Sequence, residues 1–213
     1  MAGLLVVAEV SADGSLARIS SEVATAAQQL RASGAGEATG VVVAADPDAA
    51  AAELAGYIPR VLAVAEPAAA EHAWASIAAE RVAEIVKREQ PSHILCGAGP
   101  DGRDVAGFLS ALLGWGVLVN ATALAWTEGK PTVEMSAFGG KLVTTSTFNG
   151  DEGIVTIRPN VVAAEALPAT GSVETVALDG SLAQPTVRER LPVHEDDGRE
   201  GRVRITGKTG PFT

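Results

Sequence analysis

Residues 93–114 read HILCGAGPDGRDVAGFLSALLG. An apolar run, Ile94-Leu95-Cys96, leads into Gly97, Gly99 and Gly102, and a helix-like pattern follows. The spacing is G-x-G-x-x-G, the written form of a strand that turns into a helix beneath a dinucleotide. Whatever the glycines serve, the segment predicts a buried strand and then a helix over 102–113. Asp101 is expected to cap that helix, with Gly102, Arg103 and Asp104 in its first turn.

The same alternation recurs upstream. Residues 3–10, GLLVVAEV, are almost continuously apolar, as in a strand buried on both faces. Ile19, Val23, Ala26, Ala27 and Leu30 share one helical face within 16–32, and SGAG at 33–36 ends that helix. GVVVAA at 40–45 predicts a second strand, and Asp46-Pro47 opens a second helix. RVLAVA at 60–65 predicts a third strand. A single long helix is expected from about 67 to 89, striped by Trp74, Ile77, Val82 and Ile85 and closed by Pro91. Strands that alternate with helices require crossover connections and a parallel sheet.

The texture changes after Trp115. Residues 117–158 contain strand-like segments punctuated by EGKP, GG and NGDEG, and Phe138-Gly139-Gly140-Lys141 reads as a hairpin turn. The expected fold class is α/β, a mainly parallel sheet flanked by helices with an antiparallel strand extension. Residues 172–178 and 186–191 read as further strands. The expected organisation is one domain over 1–185 and a polar, glycine-rich tail over 186–213.

Composition narrows the function. The 213 residues are 47% hydrophobic and 20% charged, enough to bury a core. The net charge of −10 disfavours nucleic acid and anionic membrane surfaces as partners. The charge is uneven: residues 1–185 carry 21 acidic and 10 basic side chains, while 186–213 carry 5 and 6. The single cysteine, Cys96, excludes an internal disulfide and suits a reducing compartment. The opening MAGLLVVAEV lacks a basic start and is interrupted by Glu9, so it reads as a strand rather than a leader. No apolar run approaches the ~18 residues that span a bilayer. A soluble cytoplasmic protein without membrane insertion is expected.

The glycine motif departs from a dinucleotide site in three ways. It follows the fourth strand rather than the first. Pro100 offers no N–H to a pyrophosphate, and Asp101 brings a negative charge to it. No acidic residue stands about 20 positions later to hold a ribose. A structural turn is the favoured reading; a mononucleotide between Glu9–Ser11 and Gly97–Gly102 stays open. Gly207-Lys208-Thr209 resembles the end of a phosphate-binding loop, but position 202 is Arg202 where the motif needs glycine.

His72, His93 and His194 are far apart, and no metal-ligand spacing appears. Cys96 reads as a buried core thiol. The adjacent pairs Asp151-Glu152 and Asp196-Asp197 read as solvated turns, not acid–base couples. No catalytic, cofactor-binding or metal-ligating residue is therefore assigned within this chain.

Three segments together resemble the alpha subunit of electron transfer flavoproteins. LLVVAEVSADGSLARISSEVATAAQQL is similar to that family's opening strand, turn and first helix. SHILCGAGPDGRDVAGFLSALLGWGVLVNATAL resembles its small-residue turn with Gly-Arg-Asp, helix and strand. FGGKLVTTSTFNGDEGIVTIRPNVV resembles its later hairpin and the Thr-Ile-Arg-Pro run at 156–159. The resemblance covers residues 3 to about 165 and implies an adenine-nucleotide-hydrolase-like domain. It implies the scaffold domain of a heterodimer with a beta subunit, carrying electrons from acyl-CoA and related dehydrogenases of fatty acid oxidation to a quinone reductase. FAD would be held by a C-terminal domain that does not match this chain, and AMP by the beta subunit. The alternative is a stand-alone adenine-nucleotide-binding module.

Overall fold

A computed structural model describes residues 3–178. The first strand, β1 (Leu4–Ala8), is buried along its whole length. Its pleat explains the unbroken apolar run. Leu4, Val6 and Ala8 face one core, and Leu5 and Val7 face a second on the opposite side of the sheet. Helix α1 (Arg18–Ala32) lies over the first core with Val23, Ala27 and Leu30 inward. Then follow β2 (Ala38–Ala44), α2 (Asp48–Leu54), whose Leu54 joins the first core, and β3 (Arg60–Ala65).

The expected long helix is two helices, α3 (Ala68–Glu71) and α4 (Trp74–Glu89). His72 and Ala73 are extended between them. The Trp74 indole N–H donates to the carbonyl of Val43 at 2.8 Å, anchoring the start of α4 on β2. A tertiary hydrogen bond therefore sets a boundary that helical periodicity reads through. Strand β4 (His93–Gly97) leads into α5 (Pro100–Leu113), and α4 and α5 cover the second core through Ile77, Val82, Ile85, Val105 and Leu109. Helix α5 starts two residues earlier than 102. Gly99 occupies the cap position and Pro100 the first helical position, where a missing N–H is harmless. Asp101 is thus a first-turn acid, not the cap.

The remaining strands are β5 (Val117–Thr127), β6 (Lys130–Ala137), β7 (Leu142–Ser146), β8 (Gly153–Ile157) and β9 (Ser172–Thr175). All nine form one sheet in the order β7-β6-β5-β8-β4-β1-β2-β3-β9. The expected α/β class, mainly parallel with an antiparallel extension, is what the structure shows. The extension is β5-β6-β7: β6 runs antiparallel to both neighbours. Its first turn is the two-residue Glu128-Gly129, with φ of 54° and 81°, the geometry that closes a right-twisted hairpin. Phe138 to Gly140 form the second turn, as expected.

Within 117–158, β8 differs from the rest. It runs parallel between β4 and β5, and all five of its residues are buried. GIVTI is apolar on both pleat faces apart from Thr156, so it suits the two-sided core rather than a half-exposed ribbon.

Buried polar groups on α1 fasten the chain after β8. Glu22 accepts the Asn160 N–H at 2.8 Å, and the Thr25 hydroxyl accepts the Glu165 N–H at 3.0 Å. The segment then reaches β9, which pairs in parallel with β3. The expected strand at 172–178 is present as β9; that at 186–191 lies outside the described residues.

Candidate functional site

In the sheet, β1 has β2 on one side and β4 on the other. The chain winds outward from β1 in both directions, so the crevice past the carboxyl ends of β1 and β4 is the topological switch point. Ligands of open α/β sheets bind there. Glu9 follows β1 and the Gly97–Gly102 turn follows β4, so the two lie together at that point.

The backbone of Glu9 is held on α1. Its N–H donates to the Ser20 hydroxyl at 2.8 Å, and that hydroxyl donates to the Glu9 carbonyl at 3.1 Å. The Ala17 N–H donates to the same carbonyl at 3.0 Å. The side chain then turns into the glycine turn. A β-carbon on Gly97 would stand 2.5 Å from Glu9 Oε1, and one on Gly102 2.6 Å from it. A β-carbon on Gly99 would come 3.4 Å from Oε2. All three glycines of the motif therefore border the Glu9 carboxyl, and the space a phosphate would need is filled from within the chain.

Glu9 is 9% exposed, and its buried Oε1 has no hydrogen-bond partner. Burial, reinforced by the charge of Asp101, pushes its pKa up from 4.5 to about 7. The same burial, with the Glu9 charge, pushes the Cys96 thiol well above the ordinary range. Cys96 is 1% exposed and free, a core thiol as expected. A crevice of about 410 Å³ opens beside the turn, lined by Ser11, Asp46, Trp74 and Asp101 among others. Its two carboxylates and the Glu9 carboxyl behind make it an unfavourable seat for a phosphate or pyrophosphate, a flavin's included.

The other sequence candidates do not converge on this crevice. His72 lies between α3 and α4, beyond the carboxyl end of β3, whereas His93 starts β4 at the opposite end of the sheet. His93 is buried, packed edge-on to Trp126 at 5.6 Å between ring centroids and tilted against Phe148 at 5.5 Å. Burial, with Lys130 nearby, lowers its pKa to about 4, so it is a neutral core residue at neutral pH. Asp151 is exposed and pairs with Lys130 at 3.3 Å, and Glu152 is exposed. Among the described residues no group of three His, Cys, Asp or Glu could hold a metal. No helix among them is long and apolar enough to cross a membrane. His194, Asp196, Asp197 and Gly207-Lys208-Thr209 lie outside the described residues.

The role of Glu9 was legible only as a carboxylate next to the first strand. Nothing in the sequence shows that its side chain fills a turn 88 residues later, because that contact depends on β1 pairing with β4.

Comparison with known proteins agrees with this frame. The family model of the electron transfer flavoprotein domain matches residues 4–181. The alpha subunit of electron transfer flavoprotein from Mycobacterium tuberculosis (strain ATCC 25618 / H37Rv) is 34% identical over 182 residues, which are 84% of this chain and 54% of that protein. The alpha subunit from Mycobacterium leprae (strain TN) is 33% identical with the same coverage. That from Bacillus subtilis (strain 168) is 23% identical over 202 residues, 93% of this chain and 62% of that protein. The chain belongs to the electron transfer flavoprotein domain family, and it spans about half the length of the mycobacterial relatives it matches.

Proposed function

We propose that this member of the electron transfer flavoprotein domain family is the scaffold domain of an alpha subunit, and that it acts only within a heterodimer. One observation carries this reading: the family match extends through every strand of the sheet, and the relatives named are all alpha subunits. Under this reading the chain docks on a beta subunit and helps seat a flavin-binding portion. The complete assembly carries electrons from acyl-CoA and related dehydrogenases to a quinone reductase, in the cytoplasm. The chain itself is a carrier component rather than an enzyme.

The cofactor of that assembly is FAD, with AMP in the beta subunit. The Gly97–Gly102 turn is filled by Glu9 and faced by Asp101, so among the described residues this nucleotide-type turn does not fit the flavin's pyrophosphate. The portion of the relatives outside the match is therefore where we place the flavin, with residues 186–213 as the link towards it. The 213-residue chain is expected to purify colourless. Co-expression of a full-length alpha subunit carrying this sequence with its beta subunit is expected to give a yellow heterodimer. Visible absorption spectra of both preparations test this. A yellow isolated chain overturns the cofactor placement, and a colourless heterodimer overturns the electron-transfer reading.

The beta partner is expected on the outer face of α5 and the adjoining part of β5. Phe108 and Leu112, one helical turn apart, are 45% and 53% exposed, and Val119 is 48% exposed. The sequence stretch 117–158 offers Trp126, Met135, Phe138 and Phe148 as candidates for such a face; Trp126, Met135 and Phe148 pack on the first core, whereas Phe138 is 80% exposed. Phe108→Glu with Leu112→Glu should abolish heterodimer formation in pull-down while leaving the far-UV spectrum of the chain unchanged. Retained heterodimer would move the interface elsewhere.

A stand-alone nucleotide module is the second reading; it would use the 410 Å³ crevice at the switch point, against the carboxylates that line it. Titration calorimetry with AMP, ATP and NAD is expected to detect no micromolar binding to the chain. Micromolar binding of any of them would favour this second reading.

A further inference from the structure

Between β7 and β8 the chain turns through Asn149, Gly150, Asp151 and Glu152, all exposed, with buried Phe148 before them and buried Gly153 after. Of the three asparagines in the sequence, Asn149 alone precedes a glycine. A following glycine leaves the next amide nitrogen unscreened by a β-carbon, and its backbone can swing towards the asparagine side chain. The structure adds two conditions. The Gly150 N–H has no hydrogen-bond partner among the described residues, so nothing holds that nitrogen away from the Asn149 side chain. The main-chain carbonyl of Asn149 accepts Lys130 Nζ at 3.1 Å, and the same ammonium pairs with Asp151 at 3.3 Å. Comparable pairs are closed. Asn120 precedes Ala121, buried within β5, and Asn160 precedes the β-branched Val161. The Gly14 N–H after Asp13 donates to the Ser11 carbonyl at 3.0 Å, and Gly102 after Asp101 is buried in the first turn of α5.

We propose that Asn149 is a site of spontaneous deamidation, and that Lys130 directs the product to isoaspartate rather than aspartate. The Gly150 nitrogen loses its proton to solvent base and bonds to Asn149 Cγ. The Cγ–Nδ2 bond breaks, and the amide leaves as ammonia with a proton taken from solvent, closing a succinimide ring. Water then opens the ring at one of two carbonyls. Addition at Cγ gives aspartate with the backbone unchanged. Addition at the main-chain carbonyl breaks its bond to the Gly150 nitrogen, which regains a proton. The backbone then runs through Cβ and Cγ, and the former main-chain carbonyl becomes a free carboxylate. Lys130 sits on the oxygen of this second carbonyl. Its ammonium polarises that carbon and meets the negative charge as it develops. The carboxylate formed keeps the contact, now strengthened by charge. The aged turn carries one more negative charge and one more backbone methylene between two buried residues. The proposal concerns the chain by itself and does not rest on the heterodimer reading.

The test is peptide mass spectrometry on the purified 213-residue chain aged at pH 8, beside a sample aged in guanidinium chloride. The peptide holding Asn149 is expected to gain one dalton in both samples, at rates within a few-fold of each other. Peptides holding Asn120 and Asn160 should keep their mass in the folded sample. Isoaspartate is read by labelling with a carboxyl methyltransferase specific for that residue. Its share of the product is expected to be higher in the folded chain than in denaturant, and Lys130→Gln is expected to return the folded chain to the denatured share. Gly150→Ala should slow conversion several-fold. A β-carbon there meets nothing closer than the Glu152 nitrogen at 4.0 Å, so the turn accepts it. Asn149→Gln, at an exposed position, is the second control and should keep its mass. No gain at Asn149 in the folded chain by the time the denatured sample has converted overturns the proposal. So does conversion of Gly150→Ala at the parent rate, or an isoaspartate share that neither folding nor Lys130→Gln changes.

Discussion

Glu9→Gln is expected to raise the stability of the chain at pH 8 by on the order of 3 kcal/mol. In the folded chain the Glu9 carboxyl is walled by Gly97 and Gly102, and its Oε1 has no partner. Its pKa is raised from 4.5 to about 7, mainly by burial and then by Asp101. The sign follows from proton counting. Below pH 4.5 both folded and unfolded chains hold the proton, and Glu9 costs no ionisation energy. Between pH 4.5 and 7 the unfolded chain has released its proton and the folded chain has not, so stability falls as pH rises. Above pH 7 the cost is complete, at about 1.4 kcal/mol for each unit of pKa difference. Glutamine keeps the shape and removes the charge. Urea unfolding of both chains at pH 5 and pH 8 should therefore show a gap between variant and parent that is larger at pH 8. An equal gap at both values would mean that the Glu9 carboxyl is solvated in the folded chain.

Gly102→Ala is expected to destabilise by about 3 kcal/mol or more, beyond the usual range for overpacking. A β-carbon at this position would overlap the carbonyl oxygen of Gly97 and stand 2.6 Å from Glu9 Oε1. The first is backbone at the end of β4, so relief requires moving the strand or the start of α5. Gly107→Ala, five residues along the same helix, is the control. Nothing lies within 4 Å of a β-carbon there, and the substitution should stabilise by about 1 kcal/mol through helix propensity alone. Thermal unfolding of the two variants separates local packing from propensity. Similar midpoints for both would show that the Gly97–Gly102 turn has room to spare and is free to admit a ligand group.

These two variants bear on why the motif looks like a nucleotide site. Glycines in that spacing allow something to approach the start of a helix closely. In this chain the approaching group is a side chain from the neighbouring strand. The motif is therefore retained as packing, consistent with a family whose matched domain here is read as scaffold.

The sequence by itself determined the class of fold. Near-continuous apolar runs at 3–10 and 40–45 read as strands buried on both faces, and helical stripes between them call for parallel crossovers. It also determined that Pro100 and Asp101 are poor company for a phosphate, since those are properties of the residues themselves. The tertiary structure decided the rest. The break at His72-Ala73 depends on Trp74 reaching the carbonyl of Val43 on another strand. The place of β8 depends on a choice of neighbours that apolar GIVTI leaves open, because a strand buried on both faces can pair in either direction. The filling of the glycine turn depends on β1 lying beside β4, which sets Glu9 against residues 88 to 93 positions away. Local periodicity reports which face of an element is buried, but not what it is buried against, and the chemistry at the switch point is set by that second fact.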